Sequence, residues 1–200
     1  MLKKLFPNKI LSIKNKTINN LIVLLAIVIA IGLFYSLIIS PPDYIQGDSV
    51  RIMYVHVPSS FIAIGCFAFI GIASVLNLVF KNKLMPLLAK SLSGIGFIFS
   101  IISIVTGSLW GKPTWGIWWV WDARLTSMTI LLLFYIAYIL TWKFIKKYED
   151  ANKISSVIAI VGLFNLPIIK YSVDWWETLH QPSSITLTSA PTIHYTMLIP

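Results

Sequence analysis

Cysteine is nearly absent: Cys66 is the only one in 200 residues, so no disulfide can form within the chain. Acids are scarce too, with seven Asp and Glu in all, and charged residues of both signs make up 12% of the sequence. That is about half the share of a soluble globular domain. The remainder is apolar, 57% by composition with a mean hydropathy of +0.82. A soluble fold of this length has too little interior to hide so much apolar side chain. An ordinary soluble enzyme and an intrinsically disordered tail are both excluded. The sequence is that of an all-α polytopic membrane protein.

Five runs approach the ~20 apolar residues that a bilayer core demands. They cover about Leu21–Ile39, Ser60–Phe80, Leu87–Trp110, Leu125–Phe144 and Ile154–Ile169. Pro41-Pro42 ends the first, and Pro58 is read as a first-turn residue opening the second. Asn165 and Pro167 interrupt the fifth, and such breaks survive only where protein or water satisfies the freed backbone. The first run is too long for a signal peptide and lacks a small-residue cleavage site. It reads as an uncleaved anchor.

The net charge of +9 could suggest nucleic acid, but the positions of the charges exclude it. Lys3, Lys4, Lys9, Lys14, Lys16, Lys81, Lys83, Lys90, Lys143, Lys146, Lys147 and Lys153 fall on one side of the spans. Twelve basic residues against two acids give that side about +10, and four against five give the other about −1. The positive-inside rule puts the N-terminus and the lysine loops in the cytoplasm or the mitochondrial matrix. The excess charge is then a topology signal and a contact for the lipid bilayer.

Three segments remain on the outer side: Pro41–Ser59, Gly111–Arg124, and Lys170 to the C-terminus. They hold all three histidines and, with Trp110, seven of the eight tryptophans. Five tryptophans fall in the twelve residues from Trp110 to Trp121. One or two per loop would be an interfacial belt. Five suit a shelf on which a large flat partner stacks. His56 and His180 flank this loop from different helix ends. Two neutral imidazoles on opposite faces of a macrocycle are a standard axial pair for haem iron. Zinc competes, though two histidines without a third strong ligand make a poor zinc site. The chain has no C-x-x-C-H for covalent haem attachment. Arg51 and Arg124 are candidates for the haem propionates, or else simply partners of Asp48 and Asp122. Asp122 also reads as the N-cap of span four, and His194 as an ordinary surface histidine.

Gly107-Ser108-Leu109-Trp110-Gly111-Lys112-Pro113, followed by Trp115-Gly116-Ile117-Trp118-Trp119-Val120-Trp121-Asp122-Ala123-Arg124, resembles the tryptophan-rich "WWD" signature of membrane haem-handling proteins. Within that group, Arg51-Ile52-Met53-Tyr54-Val55-His56-Val57-Pro58 and the stretch from Asn165 to Gln181 resemble the haem exporter protein C (CcmC) family of cytochrome c maturation. The resemblance runs from about Pro42 to Gln181. It implies that His56 and His180 are axial ligands of haem b, a non-covalent cargo. It implies further that Trp110, Trp115, Gly116, Trp118, Trp119, Trp121 and Asp122 help hold the haem at the outer surface. The implied partners are a membrane-anchored haem chaperone that receives the haem, the ATPase and permease subunits of an ABC transporter, and a small single-span subunit. No catalysis and no nucleic acid are expected. The implied location is a bacterial inner membrane or its mitochondrial counterpart. The family pattern has six spans, so a last helix beyond Tyr195-Thr196-Met197-Leu198-Ile199 is expected to be missing here.

Two other classes stand against haem handling. A membrane b-type cytochrome would retain bis-histidine haem for electron transfer, with its ligands inside spanning helices. A permease would put ionisable groups near the midplane. The span middles are almost free of such groups.

Overall fold

In a computed structural model, residues 15–182 and 190–198 are described. Lys3, Lys4, Lys9 and Lys14 lie outside these residues. Among the described residues there are no strands, and five helical stretches are long and apolar enough to cross a membrane.

Helix α1 (Asn15–Phe34) passes into a π-helical turn (Tyr35–Ile39) and stops at the two prolines. Only 6% of its most apolar window is buried, so it stands apart from the bundle. The next helix, α2 (Met53–Phe80), is led in by a 3-10 turn (Asp48–Ile52). Pro58 therefore lies inside α2 rather than opening it, which corrects the expectation above. Proline cannot donate to the carbonyl four residues back. Around it, the Ser59 hydroxyl donates to the Val55 carbonyl at 2.6 Å and Ser60 to the His56 carbonyl at 3.0 Å. The helix thus begins early enough to carry His56.

Helix α3 (Met85–Trp115) likewise runs past Trp110, where the sequence placed a loop. Pro113 sits in its last turn without stopping it. Gly116 ends it, at φ 80°, with its N–H on the Lys112 carbonyl. That left-handed conformation is the one glycine adopts at no steric cost. The true connecting loop is short, because Asp122 already caps α4 (Ala123–Phe144), accepting from the Leu125 N–H at 2.8 Å. The fifth span is two helices, α5 (Tyr148–Leu163) and α6 (Asn165–Trp175), meeting at Phe164. Pro167 falls in the first turn of α6, where its missing N–H costs nothing. Asn165 donates from Nδ2 to the Ser127 carbonyl at 2.8 Å and so ties the break to α4.

Helices in lipid gain little from apolar burial and pack where small residues let them approach. On α3, Ala89, Ser93, Gly96, Ser100 and Ser103 are buried at helical spacing. The core beside this stripe is Phe67 and Ile70 of α2, Leu131, Tyr135 and Tyr138 of α4, and Ile169 of α6. A Cβ at Gly96 would collide with the Tyr135 hydroxyl, which donates to the Ala63 carbonyl at 2.7 Å. One such bond contributes about 0.6 kcal/mol on average in a membrane, so close fit outweighs it. At the lysine-rich end Asn77 of α2 donates to Asn152 and Ser156 of α5. The lysine-rich end of the bundle is therefore tied by side-chain hydrogen bonds between α2 and α5.

Candidate haem-binding cleft

At the lysine-poor end, α2, α3, α4 and α6 diverge around a cleft of about 800 Å³, open mouth included. His56 and His180 line it, as do Trp110, Trp115, Trp119 and Arg124.

The two imidazole rings lie side by side in the cleft, with centroids 6.3 Å apart and planes tilted by 38°. With metal–nitrogen bonds of about 2 Å and roughly 1 Å more from nitrogen to centroid, an ion shared axially sits between centroids about 6 Å apart. The pair is already at that spacing. His56 Nδ1 lies 3.0 Å from the Ser103 carbonyl and 3.2 Å from the Thr106 hydroxyl, and His180 Nδ1 lies 2.9 Å from the Gln181 carbonyl. A carbonyl can only accept, so each Nδ1 carries the proton and each Nε2 keeps its lone pair. This is the tautomer a metal needs, fixed by the second nitrogen's partner. Burial, and after it the positive charge of Arg124, hold the His180 imidazole below its usual range, against weaker opposing effects from Gln181 and Asp122.

Aromatic rings wall the cleft. Trp110 meets His56 edge-on at 5.8 Å, and Trp115 lies 6.3 Å from His180. Gln46 fixes Trp110 by accepting from its Nε1 at 2.8 Å. Trp119 lines the cleft with its indole N–H buried and unpartnered among the described residues. A buried donor without an acceptor is costly, and an anionic or carbonyl oxygen entering the cleft would relieve it. The Arg124 guanidinium makes no hydrogen bond or close ion pair among the described residues, although Asp122 and Asp174 act on its charge from a distance. Flat apolar walls, two adjacent imidazoles, one unengaged guanidinium and one unengaged N–H together fit a metallated macrocycle with carboxylate side chains.

The other residues singled out from sequence lie elsewhere. Trp118 and Trp121 are 54% and 73% exposed and do not line the cleft. Trp118 faces Lys112, whose ammonium is 5.9 Å from its ring, and its carbonyl accepts from Ser108. Gly116 serves as the C-cap of α3. Asp122 serves as the cap of α4, with its second oxygen buried and unpartnered. Arg51 is outside the cleft: its Nη2 donates to the Ser40 carbonyl at 2.9 Å and its Nη1 pairs with Asp48 at 3.3 Å. His194 is exposed, bonded to the Thr196 hydroxyl at 2.8 Å and packed on Tyr195.

Sequence reasoning missed Ser103, Thr106 and Gly107, a single turn of α3 that receives the His56 ring. A Cβ at Gly107 would stand 2.9 Å from His56 Cε1. The available signal was the small-residue stripe, which continues at helical spacing from Ser100 and Ser103 to Gly107 and Gly111.

A family model described as Heme exporter protein C matches residues 2–200. Heme exporter protein C of Bradyrhizobium diazoefficiens is 40% identical over 194 residues, covering 97% of this chain and 73% of that protein. Its counterpart in Escherichia coli K12 is 42% identical over 158 residues, or 79% of this chain and 64% of the longer protein. A putative cytochrome c biosynthesis ccmC-like mitochondrial protein of Marchantia polymorpha is 43% identical over 171 residues, 86% of this chain and 72% of that protein. The chain thus spans about two thirds to three quarters of the length of these relatives.

Proposed function

The chain belongs to the heme exporter protein C family, and on that footing we propose that it handles haem for cytochrome c maturation. Haem b is held non-covalently at the outer face, with His56 and His180 as axial ligands. Trp110, Trp115 and Trp119 form the walls, and Arg124 meets a propionate. Haem then passes to a membrane-anchored haem chaperone, with an ABC transporter pair and a small single-span subunit as further partners. The chain makes and breaks coordination bonds and catalyses no covalent step. The observation that carries this reading is the adjacent imidazole pair at 6.3 Å, with each Nδ1 on a carbonyl.

One feature favours the b-type cytochrome: His56 is carried by α2 itself, as ligands of retained haem usually are. An absorption spectrum of the detergent-purified protein separates the two. A haem carrier should show a bis-histidine signal that falls when the haem chaperone is added. A signal indifferent to the chaperone would establish the cytochrome reading instead.

The site must also face outward, in a bacterial inner membrane or its mitochondrial equivalent, with the N-terminus inside. Reporter fusions after Phe80 and Lys147 are expected to report the cytoplasmic side, and fusions after Asp48 and Lys112 the external side. A cytoplasmic Lys112 fusion would turn the cleft inward and remove the export reading.

A further inference from the structure

The two histidines are held in unlike ways. The ring of His56 rises from a helix and is tied across to a second helix, through the Ser103 carbonyl and the Thr106 hydroxyl. Gly107 leaves only enough room for it, and the edge of Trp110 closes its other side. Moving that ring means breaking hydrogen bonds that cross from α2 to α3, the most extensively packed pair in the bundle. His180 stands beyond the end of α6, where the backbone has turned extended at Trp176. Its hydrogen bonds are local: the backbone N–H donates to Thr178 at 2.8 Å and Nδ1 to the adjacent Gln181 carbonyl. It also lines a second, shallow depression on the outer surface, between Asp174 and Pro182, walled by Trp176 and Glu177. His180 thus borders both the cleft and the outer depression, whereas His56 borders the cleft and not the depression.

We propose that His180 is the axial ligand given up when haem leaves, and that His56 stays bound until last. This rests on the haem-handling reading above. In the exchange, the bond from iron to His180 Nε2 breaks as the lone pair of an incoming donor takes the vacated position from the outer depression. His180 departs as a neutral imidazole, with no electron or proton transferred. Ser103 and Thr106 are positioning residues: the hydrogen bond they accept from Nδ1 keeps the His56 imidazole oriented and basic.

Carbon monoxide is a suitable incoming donor, because its C–O stretch reports the ligand on the opposite face. The full-length protein loaded with haem is reduced, given carbon monoxide and compared with variants given haem in excess. The parent's C–O band is expected to coincide with that of His180→Ala, since His56 stands opposite in both, and to differ from that of His56→Ala. Thr106→Val removes an acceptor without touching the cleft lining. It should shift the band equally in the parent and in His180→Ala, and Thr106→Ser should restore it. A parent band that coincides with His56→Ala, or that responds to Thr106→Val differently from His180→Ala, would overturn the proposed order. Failure of the underlying reading looks different: no six-coordinate low-spin spectrum in the parent before carbon monoxide is added.

Discussion

His56→Ala and His180→Ala, each inserted and purified at the parent's yield, are expected to carry less than a tenth of the parent's haem and to stop its transfer. The magnitude follows from the geometry. Partners one shell beyond a metal ligand already change affinity by about 10–100-fold, and these two side chains would be the ligands themselves. His194→Ala supplies the contrast. Its imidazole is spent on Thr196 and Tyr195 at the surface, so haem content should stay within error of the parent. Haem loss in His194→Ala as deep as in the other two would mean that the axial pair is wrongly assigned.

The second large effect lies in the aromatic walls, where the cleft divides tryptophans that the sequence groups together. Trp110, Trp115 and Trp119 line it, whereas Trp118 and Trp121 face outward. Truncating a lining indole to alanine removes on the order of 100 Å² of stacked apolar area, worth roughly 2 kcal/mol. At about 1.4 kcal/mol per decade that is a thirtyfold loss of affinity, read as haem lost at unchanged protein yield. Trp119→Ala also removes the one buried indole N–H in the cleft that has no partner among the described residues, so its loss should be the deepest of the three. Trp118→Ala and Trp121→Ala should lose less. Trp142, on the lysine-rich side against Lys90, should have no effect. Equal haem retention in all six variants, with membrane yield lost instead, would make the tryptophans anchors in the interface.

Most of the bundle was legible from hydropathy, because a run of about twenty apolar residues has few other uses. What hydropathy misjudged were ends marked by proline. Pro58 and Pro113 look like boundaries, yet each lies within a helix, since a membrane helix tolerates a missing donor where hydroxyls such as Ser59 and Ser60 bond nearby carbonyls. The histidine pair was legible because charge asymmetry placed both residues at one end. The seat of His56 was not. Ser103, Thr106 and Gly107 are ordinary interface residues of a membrane helix, and only three-dimensional packing distinguishes the turn that meets an imidazole. Arg51 and Arg124 look equivalent in sequence. Arg51 is drawn away by the Ser40 carbonyl and by an acid at i−3, and Arg124, in the first turn of α4, lines the cleft.

The cleft takes His56 from α2, Gly107 from α3, Arg124 from α4, Ile169 from α6 and His180 from beyond it. Its parts are spread over more than half of the chain. During synthesis, α2 can enter the bilayer long before its histidine has an opposite number, and the axial pair proposed above is complete only once about 180 residues have been made. With that pair as the ligands, loading would be tied to completed insertion, and haem content would report correct assembly in the membrane as directly as it reports function.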